Sequence, residues 1–279
     1  RDQTAAGYKR AELLHAMLGN GWRENVAAEA IDAVLSPADV GPRPSGSQRD
    51  NLPKRLKVPS LALDGSPLYL DAGDRQVAVL GVSREPMIVI LGGLLSDDEC
   101  DALVEAARPS LARSTVLDMD NSKSKVDEAR TSDGTYFERG QTEILARIEA
   151  RIARLVSWPV EFGEGVQVLR YGIGAEYKPH YDYFDPREPG TETIMQQGGG
   201  QRVATMLMYL SEPVRGGGTR FPDAGLEVGP KKGNGVFFSY HTPHPSSLSL
   251  HGGSPVLEGE KWVATKWLRE SEFNTRPVD

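Results

Sequence analysis

The stretch "VQVLRYGIGAEYKPHYDYFDP", residues 166–186, runs from an extended apolar segment into a histidine and an aspartate two positions apart, in a chain with five histidines. Alternation on a strand sends residues i and i+2 to one face, so His180 and Asp182 are expected to point together while Tyr181 points away. An H-x-D pair arises readily by chance, and a third ligand has to come from elsewhere before it signals a metal. Working outward, "VQVLRY" is followed by "ATMLMYL" (204–210), "LEVGP" (226–230), "GVFFSY" (235–240) and "WVATKWL" (262–268), separated by Gly-rich and Pro-rich turns. Short extended runs at this spacing predict a β-sandwich or small barrel.

Upstream the texture is different. Leu13, Leu14, Met17 and Leu18 make one apolar stripe, and Val26, Ala30, Ile31 and Val34 make another. "GNG" at 19–21 separates them, which predicts a helical hairpin within residues 1–40. "GPRPSGSQRDNLPKRLKVP" (41–59) is rich in Pro, Gly, Ser and basic residues and predicts a linker over 41–60, with the main domain following over 61–279. "QVAVLGV" and "MIVIL" read as strands. Ser96-Asp97-Asp98-Glu99 has capping-box spacing and opens a helix whose apolar stripe includes Cys100, so that thiol is expected in the core. Ile144, Leu145, Ile148, Ile152, Leu155 and Val156 mark a second helix, closed by Trp158-Pro159. The polar segment 118–140 is long for a compact domain and is expected to be a lid.

Composition narrows the function classes. The 279 residues carry a net charge of −7, which argues against nucleic acid as a partner because nonspecific binding draws on a basic footprint. No run of eighteen apolar residues exists, so no membrane-spanning helix is expected. A single cysteine, Cys100, precludes an intrachain disulfide and favours the cytoplasm. The chain opens at Arg1 without methionine, so a removed targeting peptide is compatible with it.

Three downstream histidines, His241, His244 and His251, could complete the metal set, and geometry alone does not choose among them. Only His251 has a lysine ten residues on, Lys261, in the next extended segment. A strand, a turn and a return strand can bring such a pair to one pocket. His15 belongs to the helical hairpin and is expected to be structural or exposed.

In order along the chain, "YGIGAEYKPHYDYFDP", "GGQRVATMLMYLSEP", "GGGTRFPDAG", "KKGNGVFF" and "SLHGGSPVLEGEKWVATKWLRE" resemble the catalytic domain of the prolyl 4-hydroxylase group of Fe(II)- and 2-oxoglutarate-dependent dioxygenases. The resemblance covers roughly residues 86–273. It implies a mainly β, α+β fold, a double-stranded β-helix or jelly roll with supporting helices, its core over about 160–273. It further implies that His180, Asp182 and His251 form a facial triad for Fe(II), with 2-oxoglutarate and O2 as cosubstrates and ascorbate as a reductant. Lys261 is then the cation for the far carboxylate of 2-oxoglutarate, with Tyr171 and Thr219 supplying hydroxyls to the same molecule. Tyr177, Arg202 and Trp267 match positions that line a substrate groove. The implied reaction releases succinate and CO2 and hydroxylates a prolyl residue in a peptide or protein. A hydroxylase of a free amino acid or other small molecule, and a noncatalytic 2-oxoglutarate or metal-binding module, are the alternatives. Arg220 and Gly218 depart from the usual "GGxTxFP" motif, where an apolar and an acidic residue are common.

Overall fold

The computed structural model describes residues 55–113, 115–118, 123–126 and 131–273, which belong to a unit spanning 53–279. The helical hairpin expected over 1–40 and residues 41–54 of the linker expected over 41–60 lie outside the described residues.

The first half contains β1 (Tyr69–Asp71), β2 (Gln76–Arg84), β3 (Met87–Gly92), α1 (Asp97–Ala107), β4 (Ala112–Arg113), β5 (Thr115–Asp118), β6 (Lys123–Val126), β7 (Asp133–Phe137) and α2 (Glu143–Leu155). There follow β8 (Gly163–Tyr171), β9 (Tyr177–His180), α3 (Thr191–Gln197), β10 (Arg202–Tyr209), β11 (Arg215–Gly216), β12 (Thr219–Phe221), β13 (Leu226–Val228), β14 (Gly235–Ser239), β15 (His251–Gly253), β16 (Val256–Glu258) and β17 (Lys261–Arg269). A nine-stranded antiparallel sheet runs β1-β2-β3-β14-β10-β17-β8-β7-β4, and a four-stranded sheet runs β13-β12-β15-β9. This is the jelly roll that the resemblance implies, a form of the β-sandwich that the short apolar runs predict.

The central strands of the large sheet are buried on both faces, which explains why they read as nearly continuous apolar runs. On β10 and β17, Ala204, Met206, Met208, Trp262, Ala264 and Leu268 pack into one cluster with Leu145, Ile148 and Ile152 of α2. The alternate positions face the small sheet, where Tyr209 and Val263 meet Phe221 and Val228. Period-2 alternation thus separates a helix-facing core from a sheet-facing one on the same strands.

Local signals hold at both helices. The Ser96 hydroxyl accepts from the Glu99 N–H and the Glu99 carboxylate accepts from the Ser96 N–H, the reciprocal capping box at the start of α1. Cys100 is buried, and burial pushes its thiol up to about 11, consistent with a packing residue. Thr142 caps α2 by accepting from the Leu145 N–H.

Two expectations change. Residues 55–60 do not behave as linker, because the Leu56 N–H donates to the His241 carbonyl at 2.7 Å, the Ser60 N–H donates to the Val156 carbonyl at 3.0 Å, and Leu56 and Val58 pack against the core. Composition hides this: the two apolar side chains are interleaved with Arg55 and Lys57. The segment 118–140, expected as a lid, also carries strands. β5 and β6 pair as a separate antiparallel ribbon, and β7 joins the large sheet beside β8.

The helix layer is fastened to the sheet by buried charge pairs as well as apolar contact. Lys266 of β17 donates to Glu149 of α2, and Arg151 donates to both Glu99 and Asp74. Removing one member of a buried pair strands the other charge. Glu149→Ala is therefore expected to cost about 3–5 kcal/mol in urea unfolding, and the double change Glu149→Leu with Lys266→Met to cost clearly less.

Candidate active site

The large and small sheets enclose a pocket lined by His180, Asp182, His251, Lys261, Tyr171, Thr219, Tyr177 and Trp267, eight of the nine residues singled out from the sequence. Antiparallel register brings the histidines together, since His180 of β9 and His251 of β15 are direct cross-strand partners. Their rings lie 4.4 Å apart. The close approach of these strands depends on Gly252, where a Cβ would stand 2.8 Å from the Tyr177 carbonyl oxygen. Asp182 is not on the strand with His180; it sits on the bend just after β9. Its carboxylate still reaches both histidines, with Oδ1 3.5 Å from His180 Nε2 and Oδ2 3.5 Å from His251 Nε2.

The three donors fit a divalent metal. One ligand atom from each lies within 4.8 Å of the others. His180 Nδ1 faces the Lys178 carbonyl at 2.9 Å, and His251 Nδ1 faces the Ser249 carbonyl at 3.0 Å. A carbonyl only accepts, so each Nδ1 carries a proton and Nε2 is the ring nitrogen turned toward Asp182. Burial lowers the His251 imidazole to about 4, which keeps it neutral and able to ligate near pH 7. Burial opposes the charge on Asp182, yet the flanking imidazoles and Arg202 hold its carboxyl well below the usual carboxylate range. Two imidazoles and one carboxylate on one side of a site suit an octahedral ferrous ion with open positions.

Lys261 enters from the opposite wall. It starts β17, pairs with Tyr171 on β8 and is 4% exposed. His251 and Lys261 are therefore on different sheets, and the single strand-turn-strand path expected between them is replaced by two facing walls. The Lys261 ammonium lies 5.5 Å from the Tyr171 ring and 5.7 Å from the Tyr209 ring. Among the described residues no carboxylate lies within salt-bridge distance of it. Burial lowers it to about 8, with Glu227 opposing the shift. Thr219 accepts a hydrogen bond from the Tyr209 hydroxyl at 2.8 Å, which leaves the Thr219 proton available to the pocket.

Arg202 does not line the pocket. Its guanidinium grips Glu164 through Nε at 2.6 Å and Nη2 at 2.9 Å, and it stacks on the Trp267 ring at 4.0 Å. It is thus a backing for the Trp267 wall. Tyr177 stacks on His180 with ring centroids 3.7 Å apart. His241 and His244 lie outside this pocket, His244 accepting from the Ser246 N–H as the cap of a short turn. At Gly218 a Cβ would meet only the side chain of exposed Glu227, so the structure gives no fixed steric reason for that departure.

Three residues escape a motif reading: Thr205, which lines the pocket, and Tyr209 and Tyr240, which hydrogen-bond to residues lining it. The signal that could have found Thr205 and Tyr209 is alternation on "ATMLMYL", which turns Thr205, Leu207 and Tyr209 toward the small sheet.

The 2OG-Fe(II) oxygenase superfamily profile matches residues 166–269, which contain all nine residues singled out from the sequence. "Prolyl 4-hydroxylase 5" of Arabidopsis thaliana is 41% identical over 222 residues, spanning 72% of this chain and 74% of its own. "Probable prolyl 4-hydroxylase 4" of the same plant is 42% identical over 216 residues, spanning 69% and 70%. Among solved structures, the 2OG complex of the viral collagen prolyl hydroxylase vCPH from Paramecium Bursaria Chlorella virus-1 aligns with a TM-score of 0.51 at 32% identity, covering 67% of this chain and 98% of that one.

Asp182→Asn keeps the shape of the carboxylate and removes its charge. Titration with Mn2+, a redox-stable probe, is expected to show affinity reduced by more than about 100-fold, beyond what loss of an outer hydrogen bond produces.

Proposed function

The chain belongs to the prolyl 4-hydroxylase group of the 2OG-Fe(II) oxygenase superfamily, and we propose that it hydroxylates a prolyl residue within a peptide or protein. It is a 2-oxoglutarate-dependent dioxygenase. Bound Fe(II) supplies the chemistry that splits O2 between the two substrates: one atom enters succinate as 2-oxoglutarate loses CO2, and the other enters the substrate C–H bond as a hydroxyl.

The single observation that carries this reading is the opposition of two walls. On one side His180, Asp182 and His251 present two imidazole nitrogens and a carboxylate. On the other, Lys261 offers a buried cation with no protein carboxylate in salt-bridge range among the described residues. A small dicarboxylate spans such a pocket, one end at the metal ligands and the other at Lys261, with Thr219 donating to the same end. Tyr209 contributes by accepting no part of that proton, since its own hydroxyl already donates to Thr219.

For the second substrate, β9 is the outer strand of the small sheet, so the chain segment bearing Tyr177 and His180 borders the pocket at a sheet edge. An extended peptide can lie along such an edge. Identity of about 40% to prolyl 4-hydroxylases favours a prolyl side chain as the group presented. Arg202, held by Glu164, supports the Trp267 wall of that opening and does not itself meet the peptide.

Anaerobic loading with Fe(II), then oxygen, 2-oxoglutarate and either a proline-rich peptide, free proline or no substrate tests the reading. Succinate formed in step with a one-oxygen mass gain on the peptide supports it; the same gain on free proline alone refutes the peptide assignment. His180→Ala is expected to abolish turnover, and full activity in that variant would exclude the metal role. Lys261→Ala is expected to raise the 2-oxoglutarate requirement about 10- to 100-fold, the worth of one charge-assisted hydrogen-bonded contact.

The pH dependence has a definite sign. Lys261 is protonated below about 8 and neutral above it. Calorimetric 2-oxoglutarate affinity with Mn2+ present is expected to stay level below that pH and to fall toward tenfold per pH unit above it, roughly one proton per site. In Lys261→Ala the affinity is expected to lose this dependence.

A further inference from the structure

Asp182 is the one member of the metal-binding trio that lies off the strand ladder, on the bend that follows β9. Its carboxylate is nevertheless held from the opposite sheet. Thr205 of β10 approaches Asp182 Oδ2 at 2.7 Å, and the Tyr240 hydroxyl lies 3.0 Å from Thr205 Oγ1. All three side chains are buried.

Proton counting fixes the direction of this chain. An ionised carboxylate only accepts, so the Thr205 hydroxyl donates to Asp182. That spends the single proton of Thr205, and the second bond exists only if Tyr240 donates to Thr205 Oγ1. The sequence of donors is Tyr240 to Thr205 to Asp182, with no other order possible while the carboxylate is charged. Each bond in such a chain polarises the next, and a dry setting strengthens both.

Resting on the iron and 2-oxoglutarate reading, we propose that Thr205 and Tyr240 are positioning residues for the metal, a two-hydroxyl strut that spans the sandwich and fixes the rotamer of Asp182. The backbone of the bend is held separately, by Gln201, which accepts from the Phe184 N–H and donates to the Phe184 carbonyl at 2.7 Å each, and by Arg202 Nη1, 3.5 Å from the Asp182 carbonyl oxygen; none of these contacts reaches the Asp182 carboxylate. The strut engages Oδ2 from the large-sheet side and leaves Oδ1 on the side of His180, where Nε2 is 3.5 Å away. Without it the carboxylate can rotate about its side-chain bonds, and a charged oxygen would remain in a buried site with one acceptor position unfilled. The loss should register in metal affinity before it registers in folding, because the metal depends on where the carboxylate points.

The test measures Mn2+ dissociation constants by the electron paramagnetic resonance signal of the free ion, together with thermal melting, for wild type, Thr205→Val, Thr205→Ser, Tyr240→Phe and Asp182→Asn. Thr205→Val removes only the hydroxyl and keeps the branched shape; it is expected to weaken Mn2+ about 10- to 100-fold. Thr205→Ser restores the donor and is expected to bind close to wild type. Tyr240→Phe removes the outer bond and is expected to weaken Mn2+ about 3- to 10-fold.

Equal Mn2+ affinity in wild type and folded Thr205→Val overturns the proposal, as does an equal loss in Thr205→Val and Thr205→Ser, which would assign the effect to packing. If Thr205→Val fails to fold, Tyr240→Phe and Thr205→Ser decide: wild-type affinity in Tyr240→Phe, or a large loss in Thr205→Ser, overturns it. The underlying metal reading fails separately, through absence of Mn2+ binding by wild type or undiminished binding by Asp182→Asn.

Discussion

The site depends on the antiparallel pairing of β9 with β15. That pairing sets His180 directly opposite His251, at a separation only a glycine at 252 permits. A slip of one residue would reverse which side chains face the sandwich interior and turn both imidazoles outward. The facing wall supplies Thr205 from β10 and Lys261 from β17, which are hydrogen-bonded neighbours in the large sheet. The separation of the two sheets, set by the apolar contacts of Phe221, Phe238, Tyr209 and Val263 between them, therefore sets the distance between the metal ligands and the cation.

Buried charge is handled in two ways in this molecule. Arg151 is paired with Glu99 and Asp74, Lys266 with Glu149, and Arg269 with Glu164. Those pairs lie among the elements that support the large sheet, and they satisfy the rule that a charge removed from water needs a partner. Lys261 is buried to the same degree, faces the other side of the same strand as Lys266, and has no such carboxylate among the described residues. Parity on β17 thus sorts two lysines five residues apart, one into a buried ion pair and the other into the pocket. The cost of keeping Lys261 without a protein partner shows in its lowered proton affinity. On the proposed reading, the second carboxylate of the cosubstrate would offset that cost on binding.

Much of this was legible in the sequence because it is local. Alternation on the strand runs, the Ser96 to Glu99 capping box and the apolar stripes of both helices depend on near neighbours, and each has its structural counterpart. The candidate site was legible because its motifs recur in order at fixed spacing. Contacts between distant segments were not. Arg202 looked like a groove residue, but its partner Glu164 is 38 positions away and nothing near Arg202 announces it. Residues 55–60 looked like linker because composition counts Pro and basic residues without seeing that Leu56 and Val58 share one docked face. The paired ribbon of β5 and β6 lies in a stretch whose polar composition suggests only a loop.

The same division between local and distant contacts runs through the metal ligands themselves. Both histidines are oriented by the carbonyl two residues earlier, Lys178 for His180 and Ser249 for His251, so their tautomers are set by the extended backbone of their own segments. Any sequence that builds these two strands in register also builds two correctly protonated imidazoles. Asp182 has no equivalent, because it lies beyond the ladder and its carboxylate is met by a hydroxyl from the other sheet. The imidazole pair is thus a product of one sheet's pairing, whereas the complete trio requires that both sheets be packed.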